Sequence, residues 1–333
     1  MSLLPVKRAH LLADHIEAGH PWLIEGLWSE EAVGIVGGEP KLGKSWLALD
    51  MAVSVAAGIP CLRRFPVTKP GRVLVYSGED PHYVVQQRLE NLCAAAGVNL
   101  PDLDIQVITA PTLRLDLKSD GIDLEDTVRH LQPRLLLLDP FVRLHRADLD
   151  ENSCAEVAPL LAYLRELQRR HHLAVALVHH AKKDAGRTRA GQALRGSGEF
   201  HAWVDSLLYL RRLGQGFPLR VELTIEHRAA PSRAPLVLEL PEDEEMASFF
   251  IVDRGSTPEP PPSPASVDER ITRALAAVAR PLRISELRST CRVRNATLYE
   301  RLAALTASGT LVRSADGYRI ANPLTSASAQ QQR

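Results

Sequence analysis

The stretch Gly38-Glu39-Pro40-Lys41-Leu42-Gly43-Lys44-Ser45 constrains this chain more than any other. It follows the spacing G-x-x-x-x-G-K-[ST]. Glycine lets backbone N–H groups turn inward around a phosphate with no Cβ in the way. Lys44 has the reach for the outer phosphates, and the Ser45 hydroxyl suits Mg²⁺. The apolar run Val33-Gly34-Ile35-Val36 precedes the motif, and an apolar stretch at residues 46–57 follows it. That framing predicts a buried strand, a glycine-rich turn and a helix whose N-terminal end faces the anion. A chance glycine turn would lack both flanks.

Bulk properties narrow the rest. The 333 residues allow one large domain or a large one plus a small one. The 40 basic and 40 acidic residues cancel, so nucleic-acid binding must come from local patches. Cys61, Cys93, Cys154 and Cys291 are isolated, which indicates neither a zinc site nor a disulfide framework. The N-terminus lacks a signal-peptide pattern and no apolar run is long enough for a bilayer, so a reducing cytoplasm and no membrane partner are expected.

In chain order, residues 1–32 form an N-terminal extension with a short helix expected at 9–18 and tryptophans at Trp22 and Trp28. Strands are expected at residues 72–77, 104–108, 134–139 and 173–178. Helices are expected at residues 82–96, with Gly97 as a cap, at 123–131, and at 154–170. The last carries a Ser153/Glu156 capping-box spacing, and Pro159 marks a kink or a later start. The run Leu135-Leu136-Leu137-Leu138-Asp139 reads as a central parallel strand, buried on both faces. Further strands are expected at 203–210, 219–225, 235–239 and 248–252. Alternation of Val221, Leu223 and Ile225 with polar residues marks an antiparallel, half-exposed strand.

A mainly parallel α/β sheet with antiparallel additions over residues 33–253 follows. Dense proline at 254–266 reads as a stiff linker. Residues 267–321 show three helices and a hairpin, the plan of a winged helix, and residues 322–333 read as a disordered tail. Between Ser266 and Ile320 ten arginines face five acids, 10 − 5 = +5. Arg292, Arg294, Asn295 and Arg301 lie on or just before the third helix, which suits DNA phosphates. A protein-docking module remains the other reading of that domain.

Three groups beyond the glycine loop predict hydrolysis. Glu79 follows a strand and can polarise water, Asp139 ends a strand and can hold Mg²⁺ with Ser45, and His180 ends the next strand, where it can sense a terminal phosphate. Ligands in open α/β sheets sit beyond such strand ends.

The pattern resembles the RecA-like P-loop ATPases, and within them the hexameric plasmid replicative helicases of the RepA type. The stretches that carry it are residues 38–45, Tyr76-Ser77-Gly78-Glu79-Asp80-Pro81, Leu137-Leu138-Asp139-Pro140 with Arg143 and His145 beyond, Val178-His179-His180-Ala181-Lys182-Lys183, and Leu194-Arg195-Gly196-Ser197. The resemblance implies ATP and Mg²⁺ as cofactors, Glu79 as base, Asp139 as metal-side acid and His180 as sensor. It implies Arg195 as an arginine finger acting on the next subunit of a homo-oligomeric ring of six. It also implies that the loops 143–152 and 182–198, with Lys182, Lys183, Arg187 and Arg189, touch single-stranded DNA. The tethered domain at 267–321 departs from those compact helicases. It keeps open a DNA-binding regulator or replication initiator switched by ATP, and a single-strand recombination mediator shares the same core.

Overall fold

A computed structural model describes residues 4, 6–9, 20–181, 198–214, 216, 218–241, 248–252, 267–278, 280–291, 295–314 and 316–321. The chain divides into two compact units, Met1–Thr257 and Pro258–Arg333. The helix expected at 9–18 lies outside the described residues, apart from residue 9.

The first unit opens with a small antiparallel pair, β1 (Trp22–Ile24) and β2 (Trp28–Ser29). The phosphate-loop strand is β3 (Val33–Gly38), and its helix is α1 (Lys44–Ala57). Then follow β4 (Val73–Ser77), α2 (His82–Ala96), β5 (Ile105–Val107), α3 (Lys118–Leu131), β6 (Leu135–Asp139), α4 (Cys154–His171) and β7 (Ala174–His180). A short α5 (Glu199–Trp203) leads into β8 (Ser206–Arg212), β9 (Leu219–His227), β10 (Leu236–Leu240) and β11 (Phe250–Val252).

These strands form a nine-stranded sheet in the order β11-β10-β9-β8-β3-β7-β6-β4-β5. From β8 through β5 every pairing is parallel, and β9, β10 and β11 add on antiparallel. The expected mixed sheet is therefore present. Strand periodicity sends alternate residues to opposite faces. Leu135, Leu137, Ala174, Ala176 and Val178 join the core under α1 and α2. Leu136, Leu138, Val175 and Leu177 join the core under α3 and α4. Each buried leucine stabilises by about 1.5–3 kcal/mol relative to exposure, so this two-sided burial is what holds the strand ends in place.

Local signals mostly act as expected. Gly97 caps α2 with a φ of 71° and donates to the carbonyls of Ala94 and Cys93, a left-handed position that glycine fills without a Cβ penalty. Four expectations are corrected. The strand expected from residue 203 is instead the helix α5, with β8 starting at Ser206, because Phe200 and Trp203 pack at helical spacing into the core. Helix α3 starts at Lys118, before its apolar residues begin, because Tyr163 donates to the Gly121 carbonyl at 2.6 Å and fixes that turn. The Ser153 side chain makes no cap bond; Glu156 instead pairs with Arg146 at 2.8 Å. Helix α4 also runs through Pro159 without a later start, since Val157, Leu160, Leu161 and Leu164 anchor both sides of it.

The second unit holds α6 (Val267–Ala276), α7 (Ile284–Cys291), α8 (Asn295–Ala307) and the antiparallel pair β12 (Leu311–Ser314) and β13 (Gly317–Ile320). Its core joins Ile271, Leu275, Leu287, Leu298, Leu302, Leu311 and Tyr318. Leu282 bridges to Tyr318 by two backbone bonds of 2.9 Å.

Candidate nucleotide site

Strand β3 delivers the loop and α1 receives it. Gly38 has a φ of 151°, Lys41 62° and Gly43 76°. A Cβ on Gly43 would stand 2.6 Å from the Phe249 ring, and one on Gly38 would stand 2.6 Å from the Leu210 carbonyl. Both glycines are therefore demanded by close approach as well as by conformation. Lys44 folds back so that its Nζ donates to the Glu39 carbonyl at 2.7 Å. Its surroundings lower its pKa to about 8: burial is the largest cause, and it is opposed by the charges of Asp139, Glu79 and Glu39.

The parallel topology brings the other groups to the same edge. A cavity of about 390 Å³ is lined by Lys41, Leu42, Gly43, Lys44 and Ser45, and by Glu79, Asp139 and His180. Gly38, Glu39 and Pro40 form the preceding part of the loop. Asp139 is almost fully buried and bonded to Ser45. Burial raises its pKa to about 6; Ser45 and Lys44 oppose that rise, while Asp80 and Glu79 add to it. Glu79 stands in the turn after β4, where it accepts a hydrogen bond from Arg143 Nε at 3.2 Å.

The adjacent histidines separate by strand alternation. His180 faces the cavity. His179 is buried on the other face, stacked on Phe200 at 4.3 Å and edge-on to Phe141 at 5.6 Å.

Several other expected residues have partners of their own. In the 143–152 loop, Leu144, His145, Leu149 and Glu151 are buried, and Arg146 is paired with Asp148 and Glu156. Burial disfavours the charged form of His145, but its hydrogen bonds to Glu151 and to the Arg146 carbonyl outweigh that and raise its pKa. This loop thus spends much of its polarity on its own packing. Arg301, expected on a DNA-facing helix surface, is partly exposed and paired with Asp268 of α6, its Nε donating at 2.7 Å, because α8 packs on α6 at that point. Asn295 opens α8. Lys182, Lys183, Arg187, Arg189, Arg195, Arg292 and Arg294 lie outside the described residues.

Two groups of lining residues escaped sequence reasoning. Trp46, Asp80 and Arg88 form one: Arg88 pairs with Asp80, and its guanidinium lies over the Trp46 ring, 5.6 Å from the centroid. The spacing of Asp80 and Arg88 across a turn and a helix was the only available signal. Leu219, Leu240 and Pro241 form the other. They come from the antiparallel strands, and no local pattern points to them.

Residues 5–186, more than half of the chain, match the AAA domain family. The chain belongs to that family. A DNA repair protein RadA from Synechocystis sp. is 24% identical over 182 residues, which is 54% of this chain and 33% of that relative. The chain thus spans about a third of that relative's length. Among solved structures, the ATPase domain of G40P aligns with a TM-score of 0.52 at 14% identity, covering 67% of this chain and 86% of that one. A DnaB-like replicative helicase aligns with a TM-score of 0.52 at 15% identity, over 67% of this chain and 58% of that one. The AAA domain here therefore has the fold of the RecA-like P-loop ATPases, the fold the sequence resemblance implied.

Proposed function

We propose that the chain is an ATP-hydrolysing, RecA-like motor acting on DNA, a replicative helicase of the RepA type from a plasmid or integrated element. The observation that carries this reading is the meeting of Lys44, Ser45, Glu79, Asp139 and His180 around one cavity at the strand ends. Lys44, largely desolvated, has little to satisfy it but the Glu39 carbonyl and neighbouring carboxylates, so a phosphate oxygen is a strong alternative partner. The Ser45 hydroxyl and the Asp139 carboxylate are hard oxygen donors that suit Mg²⁺, which needs few protein ligands. The buried Asp139, with its raised pKa, is a carboxylate that a cation would stabilise in its charged form. Bound there, Mg²⁺ would neutralise charge on the phosphates. Glu79 orients the attacking water and accepts its proton. His180 donates to the terminal phosphate and reports its loss along β7.

RadA and the DnaB-like helicase carry names that speak of DNA repair and replication, which supports DNA as the partner. Arg195 as an arginine finger and Lys182, Lys183, Arg187 and Arg189 as single-strand contacts belong to this reading, as does a hexameric ring. The second unit, with three helices and a hairpin in winged-helix order, favours a second reading. In it, ATP switches assembly while residues 267–321 read a duplex site. Steady-state ATPase activity with and without single-stranded DNA, beside Lys44→Ala, tests the first. Strong stimulation by single strands supports the motor. Activity indifferent to them, with retention on duplex DNA, moves the assignment to the regulator.

A further inference from the structure

Glu79 is not simply open to a water molecule. Its carboxylate is engaged by Arg143, which closes the single helical turn Phe141–Arg143 after β6. The two stems are locked together at the backbone. The Gly78 N–H donates to the Asp139 carbonyl at 2.7 Å, and the Arg143 N–H donates to the Pro140 carbonyl at 3.0 Å. A Cβ on Gly78 would lie 2.7 Å from Arg143 Cβ, so the turns are in direct contact. The side-chain ends behave differently: Arg143 is 56% exposed and Glu79 42%. A fixed pair of stems thus carries a solvent-accessible ion pair, next to the buried Lys44 and Asp139.

We propose that Arg143 is a positioning residue that gates Glu79. Paired with Arg143, the carboxylate has one oxygen occupied by the guanidinium, and that oxygen is not free to hold and orient a water. A phosphodiester oxygen of a bound nucleic-acid strand is a competing partner for the guanidinium. When Arg143 turns to it, Glu79 is released to orient water. The gate rests on Glu79 as the base of the hydrolysis proposed above, and the identity of that phosphate rests in addition on the DNA-acting reading. Exposed ion pairs bias an equilibrium by no more than about fivefold. The gate is therefore soft, and a ligand needs only a modest preference for free Arg143 to open it.

Hydrolysis by the full chain tests this, with Arg143→Ala and Arg143→Lys compared with the parent protein, with and without oligo(dT). Arg143→Ala should raise the rate without oligo(dT) about twofold to fivefold and shrink the stimulation ratio correspondingly. Arg143→Lys, which keeps the charge, should restore the low basal rate. A merely structural role would lower the basal rate together with the melting temperature. Where alanine lowers the melting temperature, Arg143→Gln serves for the same comparison. A basal rate equal to or below that of the parent protein in the uncharged variant overturns the gate. A parent protein indifferent to oligo(dT) would instead count against the DNA reading, and the basal comparison would still decide the gate.

Discussion

On one flank of β3, the parallel strands β7, β6 and β4 end in His180, in Asp139 and in the turn carrying Glu79 and Asp80. On the other flank, the strands beyond β8 bring Leu219, Leu240 and Pro241 to the same cavity. The difference follows from strand direction. Parallel strands all end at one edge, so polar residues placed just after each apolar run meet there. Antiparallel strands alternate direction, so β9 starts at that edge and β10 finishes there, with Leu219 and Leu240 paired in register. One flank supplies charge and the other an apolar wall. The phosphate loop lies between them, with Gly43 pressed against Phe249.

The largest effect expected from breaking this contrast lies on the charged flank. Glu79→Gln should lower the hydrolysis rate by about 10²- to 10⁴-fold while leaving nucleotide binding close to normal. Single-turnover kinetics and equilibrium binding, run side by side, separate the two. A variant that hydrolyses at the parent rate would remove Glu79 from the reacting group.

Asp139→Asn should show what the charged flank costs in stability. The folded protein holds this carboxyl at about 6 instead of 3.8, so between those values the folded state binds more protons than the unfolded state. Its contribution to stability is greatest below pH 3.8 and is lost as pH rises through about 6. The difference corresponds to about 3 kcal/mol above that window. Asparagine should remove this loss, making the variant more stable than the parent at neutral pH in metal-free buffer, and inactive. Urea unfolding of parent and variant on either side of the window reads it directly; a stability advantage of the variant that does not grow as pH rises through the window would contradict the assignment.

Lys44 sharpens the comparison from the binding side. Its pKa of about 8 means that the free protein loses this proton as pH rises through about 8, whereas a bound phosphate favours the ammonium form. Nucleotide binding should therefore take up close to one proton above pH 8, with affinity falling by up to about tenfold per pH unit there. Titration calorimetry in buffers of different ionisation heat measures the uptake, and Lys44→Arg should abolish it.

The smallest effect belongs to the apolar flank. Leu240→Ala should weaken nucleotide affinity by about threefold to tenfold, as loss of a few buried methyl groups does, with kcat unchanged. A large fall in kcat would show that this flank takes part in the chemistry.

Legibility in the sequence differed in the same way between the flanks. Lys44, Ser45, Glu79, Asp139 and His180 could be found because each follows a run of buried residues, so a linear pattern marks its place. Helix α2 was readable to its cap because apolar spacing and Gly97 agree. Trp46, Arg88, Leu219 and Leu240 were not readable as site residues, because a half-buried helix position or an alternating strand looks the same whether or not a cavity lies beside it. Arg301 shows the same limit: a basic residue on a helix suggests a phosphate contact, and nothing local tells that the Asp268 carboxylate on a neighbouring helix also meets it.

By itself, the sequence determined the phosphate loop, the parallel core and the residues that must stand at its strand ends, because periodicity, glycine chemistry and burial act within a few residues of each other. Only the tertiary structure decided which partners those residues meet: that Arg143 covers Glu79, that His179 turns away while His180 faces the cavity, and that leucines from the antiparallel strands complete its wall. Those contacts join segments as far apart as the Arg143 and Glu79 turns, and strand order and register bring them together, information that no local stretch of the chain contains.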